Sequence, residues 1–328
     1  MNRRRALAAA AALLPGLLPG LLPALARAQE GFPRGPLKLV VGFPPGTAAD
    51  ILARLVAPGL GAQLGQPVVV ENRAGAGSSI GAEAVARATP DGHTLVLVTN
   101  ANAIAQATQP ALGFDLTRSF APVALLAEVP NLLVVHPSLG VRDVAGFIAH
   151  AKARPEQVFY GSSGIGTVPH LSGELFNQQA GVKLVHVPYA GSGQAMTDLI
   201  AGRVQVVFAP VSTALPQVEA GKVVALATTG ARRSALAPGL PTVAEAGLAE
   251  FETSIWLGLL APAGTPPAVQ ARLAAAAASV TASVDVAARF REQGMEPRPL
   301  APAAFAPLIS AEVAKWVGVV RTAGIAAN

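Results

Sequence analysis

Short aliphatic and β-branched runs alternate with segments of helical periodicity along most of this chain. Residues 37–43 predict a buried strand, and residues 51–64 place apolar side chains on one helical face, although Pro58 predicts a kink or an early end. Further strands are predicted at residues 68–71, 94–99, 132–136, 159–161, 184–187, 204–208 and 223–228. Further helices are predicted at residues 80–88, 143–154, 169–179, 194–201 and 215–220. This alternation predicts an α/β fold with mixed, mostly parallel sheets and helices on both faces.

The rhythm changes in the last third of the chain. Residues 254–261 predict an apolar strand, Thr265 is expected to cap an alanine-rich helix that opens at Pro266, and residues 305–321 predict a final helix. Extended runs near Pro130 and Trp256 look like crossings between two lobes. We therefore expect one discontinuous lobe at 29–130 plus 256–328 and a second lobe at 131–255.

The N-terminal residues 1–28 have the layout of a cleaved signal peptide. Three arginines (Arg3, Arg4 and Arg5) precede an apolar stretch, and Ala26-Arg27-Ala28 forms a small-x-small cleavage site. The arginines also admit twin-arginine export, and the alternative to cleavage is a retained membrane anchor. We expect export to the periplasm. No other stretch is expected to be long and apolar enough to span a membrane.

Composition narrows the classes of function. The 328 residues suit two domains, and a content of 52% hydrophobic and 13% charged residues indicates a globular chain. Four of the 24 basic residues lie in the predicted signal peptide, so 20 basic residues face 19 acidic ones afterwards. No basic run remains to indicate a nucleic-acid partner. The absence of cysteine excludes disulfides, thiolate metal sites and a lipidated N-terminal cysteine.

Candidate chemistry lies at the carboxyl ends of the predicted strands, where open α/β sheets bind ligands. The first loop, residues 43–50, offers Gly46 for close backbone approach, and Thr47 and Asp50 have capping-box spacing. Asp50 either contacts ligand or only caps the helix. The serine/glycine loop, residues 161–167, is dense in hydroxyls and N–H groups before a helix, which suits a carboxylate or phosphate. Its alternative is an ordinary loop with Thr167 as N-cap.

A third loop, residues 187–193, contains Tyr189 and Gly191, while Asn100 and Pro210 follow other strands and His170 is either structural or cleft-lining. The candidate ligand-binding residues are Phe43, Pro44, Gly46, Thr47, Asp50, Asn100, Ser162, Ser163, Gly164, Gly166, Thr167, His170, Tyr189, Gly191 and Pro210.

Enzyme signatures are weak. Gly77-Ser78-Ser79-Ile80-Gly81 matches G-x-S-x-G, but a glycine-rich loop separates Ser79 from its strand and removes the sharp elbow. The histidines show no paired metal spacing, and no phosphate-binding P-loop motif occurs. We expect a protein that is not an enzyme, with no catalytic residues, metal or cofactor; a serine hydrolase using Ser79 is the alternative.

Several segments resemble the Bug-type extracytoplasmic solute receptors of the tripartite tricarboxylate transporter system. They are Val40 to Asp50, Val70 to Gly77, Pro90 to Leu95, Tyr160 to His170, His186 to Gly191, Pro241 to Gly247, and Trp256 with Leu260 to Pro266. The resemblance implies a two-lobed Venus-flytrap receptor that holds a ligand carboxylate through backbone groups and waters between the first loop and the serine/glycine loop. The family usually has a second glycine where this chain has Thr47, so the ligand can differ.

Together these observations predict a monomeric periplasmic binding protein for a small carboxylate. The dicarboxylates, tricarboxylates, acidic amino acids and aromatic carboxylates all stay open as ligands. Delivery to membrane permease subunits and delivery to a sensor also stay open as roles.

Overall fold

The computed structural model describes residues 31–109 and 111–325, so the predicted signal peptide at 1–28 lies outside the described residues. The strands are β1 (Leu37–Val41), β2 (Val68–Asn72), β3 (Thr94–Thr99), β4 (Phe120–Val129), β5 (Asn131–Val135), β6 (Phe159–Ser162), β7 (Val185–Pro188), β8 (Val206–Pro210), β9 (Val224–Thr228), β10 (Ile255–Pro262) and β11 (Glu296–Leu300). The helices are α1 (Ala48–Leu64), α2 (Ser79–Ala86), α3 (Asn100–Thr108), α4 (Val144–Lys152), α5 (Val168–Ala180), α6 (Ser192–Ile200), α7 (Val211–Glu219), α8 (Pro267–Thr281), α9 (Val284–Glu292) and α10 (Pro302–Thr322).

These strands form two sheets. The first has the order β11-β4-β10-β3-β1-β2, and the second has the order β7-β6-β8-β5-β9. In the first sheet β1 runs parallel to β2 and β3, whereas β10 is antiparallel to β3 and β4, and β11 is antiparallel to β4. In the second, β6 is parallel to β7 and β8, but β5 is antiparallel to β8 and β9. The sheets are mixed as predicted, but not mostly parallel, because β10 and β11 in the first sheet and β5 in the second run against their neighbours.

Helices cover both faces of the first sheet, as its burial pattern requires. Along β1 and β3 successive aliphatic side chains enter different cores: Val40 and Val96 join one core, and Leu39 and Leu95 join the other. Strands buried on both faces appear as near-continuous aliphatic runs, which is why β1 and β3 were predictable from the sequence. The chain leaves the first sheet at Pro130, between β4 and β5, and returns between β9 and β10. The predicted lobe boundaries themselves stay a prediction.

Several local expectations are wrong. Helix α1 continues through Pro58 to Leu64, since a proline removes one hydrogen bond of a helix that packing otherwise holds. Thr265 does not cap the alanine-rich helix; its hydroxyl donates to the Pro262 carbonyl, and the N-cap is Pro266. Strands β4 and β11 and helices α3 and α9 were not predicted.

Helix α10 corrects the expectation about membrane spans. Its 21 residues meet the length and hydropathy requirements of a membrane-spanning helix. In this structure the helix packs against α3 and β4, burying Phe305, Ile309 and Trp316, and it carries the buried Glu312 near its middle. Those contacts place α10 in the same hydrophobic core as Val40 and Val96.

Candidate ligand-binding cleft

One large cavity, of about 840 Å³, lies between loops of the two sheets. The first loop and the serine/glycine loop both reach it. The predicted site residues that line the cavity are Phe43, Thr47, Ser163, Gly166 and Thr167. The structure therefore brings together two loops that are separated by more than a hundred residues in the sequence.

The first loop is held by a reciprocal cap of α1. The Thr47 hydroxyl donates to the Pro44 carbonyl (2.8 Å) and accepts weakly from the Asp50 N–H (3.5 Å), while the Asp50 carboxylate accepts from the Gly46 N–H (2.9 Å). Gly46 has φ +82°, a conformation that favours glycine. Thr47 lies in extended backbone and places its side chain on the cavity wall.

Asp50 has a structural role here and does not line the cavity. It is buried, and its carboxylate also accepts hydrogen bonds from Arg54 and Asn72. Burial alone raises the pKa of this carboxyl, but the hydrogen bonds from Arg54, Gly46 and Asn72 outweigh it and hold the pKa below its ordinary value. All the strong hydrogen-bond donors to the Asp50 carboxylate are therefore groups of the protein itself.

The serine/glycine loop presents a different arrangement. Gly164 and Gly166 have φ +120° and +74°, and the Thr167 hydroxyl donates to the Gly164 carbonyl at 2.6 Å. Thr167 is the N-cap residue of α5, but its side chain accepts no hydrogen bond from the first turn, contrary to the expected cap. The Ser163 hydroxyl has no protein partner among the described residues and lies on the cavity wall. Donors at this helix start are therefore available to a ligand.

A buried polar layer lies behind the serine/glycine loop. Ser162 Oγ is 2.6 Å from His186 Nε2, and His170 Nδ1 accepts the Gly166 N–H at 3.1 Å. The two imidazoles stack with ring centroids 3.9 Å apart, and Tyr160 stacks on His186. Burial lowers the pKa of both histidines to about 4. The layer shapes the loop from behind; Ser162, fully buried, does not reach the cavity.

The other predicted contacts lie away from the cavity. Asn100 is fully buried; its amide donates to the Ser254 carbonyl and to Glu312 and accepts from the Trp256 N–H. The Tyr189 hydroxyl donates to Asp198, and burial raises the pKa of Tyr189 to about 12. The predicted residues outside the lining are Pro44, Gly46, Asp50, Asn100, Ser162, Gly164, His170, Tyr189, Gly191 and Pro210.

Sequence reasoning missed the apolar wall of the cleft. Ile104 and Ala105 come from α3, Ile255 and Leu257 come from β10, and Ile165 projects from the serine/glycine loop with 61% of its surface exposed. Helix α3 was missed because Asn100 and its neighbours were interpreted as a loop. The continuous apolar run at residues 254–261 was a signal for the β10 contribution.

A turn of unusual backbone conformation lines another part of the cleft. Residues 75–78 all have positive φ, including Ala76 (+46°) and Ser78 (+80°). The Gln109 side chain braces the turn by donating to the Ala76 carbonyl (3.1 Å) and accepting from the Ser79 hydroxyl (3.1 Å). Ser79 thus bonds an amide oxygen, which cannot act as a general base, and it is buried.

Metal binding has little support in the described part of the chain. Among residues 31–109 and 111–325, no group of three His, Asp or Glu side chains is placed to hold a metal ion. The expectation of no metal and no cofactor stays a prediction.

Comparison with known proteins places the fold and cleft in a family. Residues 52–325 match the family described as the tripartite tricarboxylate transporter family receptor. The chain belongs to this receptor family. BugT of Bordetella pertussis is 36% identical to this receptor over 295 residues, covering 89% of the chain and 90% of BugT. The family resemblance inferred from the sequence is confirmed.

Two solved structures are also similar to this receptor. The R. palustris protein Rpa4515, solved with adipate, is 39% identical with a TM-score of 0.73, covering 90% of this chain and 99% of its own. MatC from Rhodopseudomonas palustris, solved with bound malate, is 35% identical with a TM-score of 0.70, covering 88% and 100%. The predicted two-lobed binding-protein fold is confirmed. The family consists of solute-binding proteins and its receptors are periplasmic.

Proposed function

We propose that this receptor captures a small organic carboxylate in the cleft and delivers it to the permease subunits of a tripartite transporter. The observation that carries the proposal is the start of α5. The Ser163 hydroxyl has no protein partner among the described residues, and the side chain of Thr167 leaves the first helical turn uncapped. A ligand oxygen anion at this position accepts hydrogen bonds from donors that have no acceptor within the protein.

A second helix supports the same chemistry. Ala48 and Ala49, in the first turn of α1, line the cavity together with Thr167 and Val168 of the other loop. Each helix start carries a partial positive charge that stabilises an anion by about 0.3–1 kcal/mol. Two helices that approach from different sheets therefore favour one negative group between them. The adipate and malate in the two similar structures support a carboxylate as that group.

The other roles have less support. A hydrolase using Ser79 lacks a base, because the Ser79 hydroxyl is committed to Gln109. A receptor that serves a signalling partner would have the same cleft, so the cleft does not separate the two roles. The matched family is that of a transporter receptor, and it favours delivery to permease subunits. We propose accordingly a binding protein without enzymatic activity and without a cofactor, acting as a monomer.

The proposal includes export and a two-lobed closing motion. Residues 1–28 act as the signal peptide, and the mature receptor works in the periplasm, where receptors of this family reside. Residues 29–130 plus 256–328 form one lobe and residues 131–255 form the other. Mass spectrometry of the exported protein checks the cleavage, since a mature chain beginning at Gln29 is expected.

Calorimetry on the mature receptor tests the ligand class. The panel contains C4–C6 dicarboxylates, acidic amino acids, citrate, and aliphatic and aromatic monocarboxylates, with neutral sugars as comparators. We expect Ser163→Ala to weaken binding of the best carboxylate by about tenfold or more, because a hydrogen bond to a charged group contributes about 1.5–3 kcal/mol.

The matched control is Ser310→Ala, on an exposed face of α10, which should leave the affinity unchanged. A receptor that binds the sugars and none of the carboxylates would refute the proposal.

A further inference from the structure

We infer that the crossover between the two sheets contains an internal water site, and that its water exchanges hydrogen bonds when the lobes rotate. The crossover consists of the outbound segment at Pro130 and the return segment between β9 and β10. The water site is independent of carboxylate capture, whereas its part in the rotation rests on the closing motion of the proposed function. The residues assigned to the site are Asn131, Thr228, Thr229 and Thr253.

Unpartnered polar atoms are concentrated at this crossover. Four side-chain oxygens of completely buried residues have no hydrogen-bond partner among the described residues. They are Asn131 Oδ1 and the hydroxyl oxygens of Thr228, Thr229 and Thr253. In the rest of the described chain only His93 Nδ1 shares this property. Because an unpaired buried polar atom destabilises the folded state, native proteins satisfy nearly all of them, with ordered water where no protein group is available.

A closed ring of hydrogen bonds holds three of these residues together. The Thr229 N–H donates to the Asn131 carbonyl (2.9 Å), and the Thr253 N–H donates to the Thr229 carbonyl (2.8 Å). The Asn131 side-chain amide closes the ring by donating to the Thr253 carbonyl (3.4 Å), which fixes the orientation of that amide. Thr228 adjoins the ring as the strand partner of Leu132. The unpartnered oxygens therefore surround a backbone ring that is itself bonded.

The chemistry of the four oxygens suits water. Each threonine hydroxyl can donate one hydrogen bond and accept others, whereas Asn131 Oδ1 can only accept. A hydroxyl rotates freely and would bond Asn131 Oδ1 directly if it were within reach, but no such bond forms. A bridging molecule must therefore both donate and accept. Water does both, and a buried water typically makes about three hydrogen bonds to groups of this kind.

The charges next to the site favour a neutral molecule over a cation. Glu252 directly precedes Thr253, and Lys315 Nζ donates to its carbonyl at 3.0 Å. Arg298 pairs with the Glu252 carboxylate at 3.4 Å. Two positive side chains thus already contact this segment, and the four oxygens of the site are uncharged. Sodium or potassium is the alternative occupant, and the crystallographic experiment below separates it from water.

The position of the site connects it to the motion of the lobes. Asn131 opens β5 directly after the outbound crossing, Thr229 follows β9, and Thr253 precedes β10 by two residues. None of these residues is among those that line the cleft. Rotation of one lobe against the other changes the geometry of the ring bonds that tie the crossing segments together. Water and hydroxyls beside those bonds offer alternative partners, so the backbone groups stay satisfied through the motion.

Thermal unfolding of two isosteric variants tests the site on the mature receptor without any ligand. Removing a buried hydroxyl that has no partner raises the melting temperature, whereas removing one that is bonded to water lowers it. We expect Thr229→Val and Thr253→Val each to lower the melting temperature by about 1–4 °C. A rise in both variants would overturn the inference.

Thr281→Val is the matched control for exchanging a buried hydroxyl for a methyl group. Thr281 is buried, and its hydroxyl donates to the Ala277 carbonyl of its own helix at 3.0 Å. This substitution should change the melting temperature by less than about 1 °C, because the carbonyl keeps its helical partner. A fall in Thr281→Val as large as that in the two crossover variants would remove the thermal support for water.

A high-resolution crystal structure of the mature receptor identifies the occupant. We expect an ordered water within about 3.2 Å of at least three of the four oxygens. Crystals soaked in rubidium chloride form the second arm, since rubidium replaces potassium and scatters anomalously. An anomalous peak at the site would assign it to a monovalent cation and refute water. A site without density would overturn the inference altogether.

Calorimetry on the double variant Thr229→Val, Thr253→Val tests the part of the water in closure. Its affinity for the best carboxylate should fall by about three- to tenfold, although neither residue lines the cleft, because the closed state becomes harder to reach. Thr281→Val should keep the parent affinity. An unchanged affinity in the double variant would refute the role in closure and leave the water site standing. A parent receptor that binds no carboxylate would refute the proposed function together with that role, while melting and crystallography would still decide the site.

Discussion

The stacked imidazoles of His170 and His186 make the support of the serine/glycine loop dependent on pH. His170 Nδ1 can accept the Gly166 N–H only while that nitrogen is unprotonated. Burial lowers the pKa of His170, and burial together with the neighbouring His170 lowers that of His186, in each case to about 4. Protonation of this pair would place two adjacent charges in a buried layer and remove a support of the loop.

The sign of the pH dependence follows from these values. The unfolded chain binds these protons near pH 6.5 and the folded receptor only near pH 4, so acidification favours unfolding. We expect the free energy of unfolding to fall by about 1–3 kcal/mol between pH 6.5 and pH 5, measured by denaturant titration. The double variant His170→Gln, His186→Gln should show a much flatter profile over this interval. An unchanged slope in the variant would assign the effect to other groups.

Thr167 illustrates what residue-level sequence reasoning reached and what it missed. The density of hydroxyl and N–H donors in residues 161–167 singled out a loop that lies at the cavity in the structure. The direction of each hydrogen bond was not predictable, because it depends on the backbone of Gly164, which has a φ of +120° and whose carbonyl accepts from the Thr167 hydroxyl. The only hydroxyl hydrogen of Thr167 is spent inside the loop, while Ser163 keeps its own.

Two substitutions at Thr167 distinguish the effect of its hydroxyl on ligand affinity from the effect of its side-chain shape. Thr167→Val keeps the side-chain shape but removes the bond to Gly164, so ligand affinity should fall by about three- to tenfold through a loosened loop. Thr167→Ser retains the bond and should stay within about twofold of the parent. Calorimetry with the best carboxylate measures both. Equal affinities for the valine variant and the parent would contradict a positioning role.

At the scale of elements, Glu312 joins three parts of the chain. Its Oε2 accepts from the Trp256 indole (2.8 Å), the Trp316 indole (3.0 Å) and the Asn100 amide (2.9 Å), and Lys315 pairs with its other oxygen. Helix α10, strand β10 and the start of α3 therefore meet at one buried carboxylate. Because α3 and β10 both line the cleft, this junction also positions the apolar wall.

Removal of this carboxylate should destabilise the receptor strongly. Glu312→Ala leaves two indole N–H groups and one of the two N–H groups of the Asn100 amide without an acceptor, and we expect a loss of about 3–5 kcal/mol in the free energy of unfolding. Glu312→Gln keeps an acceptor oxygen and should lose less. Glu219→Ala, at an exposed position of α7, is the control and should change stability by no more than about 0.5 kcal/mol. A small loss in Glu312→Ala would show that the junction is dispensable.

The elements that sequence reasoning missed share a physical cause. Strand β11, Glu296 to Leu300, contains two prolines and is tolerated because it is an edge strand paired only with β4. Helix α3 begins with Asn100 and Asn102, whose amides are typical of a loop until Ser254 and Ser78 supply partners from elsewhere in the chain. In both cases tertiary contacts override local preference, and those contacts come from residues distant in sequence.

At the scale of the whole molecule, two polar contacts link segments associated with different sheets. Arg232, which follows β9, pairs with Glu128 of β4 at 3.2 Å, and Ser234 donates to Glu296 of β11 at 2.6 Å. Ser234 and Glu296 are buried. Arg232 and Ser234 lie in the segment between β9 and β10, which connects the two sheets. A hinge in this region would let the cleft change width while these contacts stay formed.

Closure of the cleft is the prediction that belongs to this scale. The serine/glycine loop and the first loop come from different sheets, so a small ligand gains contacts from both only when they approach each other. We expect the radius of gyration from solution scattering to fall when a saturating carboxylate is added. Ser163→Ala at the same ligand concentration should show a smaller change. A constant radius with calorimetrically saturated receptor would mean that the lobes are rigid.

The overall architecture was predictable because its signals are long-range averages. Alternating strands and helices indicated the α/β class, and the change of rhythm near Trp256 coincides with the return of the chain to the first sheet. The antiparallel pairings were not predictable, because strand direction depends on which edges meet after the chain crosses at Pro130. Strand β10 pairs between β3 and β4, and this position depends on the assembled sheet and not on the sequence of β10 itself.

That placement of β10 also sets an order of events during synthesis. Strands β1 to β4 emerge early, yet β3 and β4 are not neighbours, and the strand that joins them begins only at Ile255. The last strand of the second sheet ends at Thr228, so its strands can pair while the first sheet still lacks its central strand. A chain terminated before residue 255 would leave β3 as an open edge of the β3-β1-β2 ribbon and β4 without any strand partner. Premature termination therefore yields a protease-sensitive fragment with exposed strand edges, and not a receptor with one working lobe.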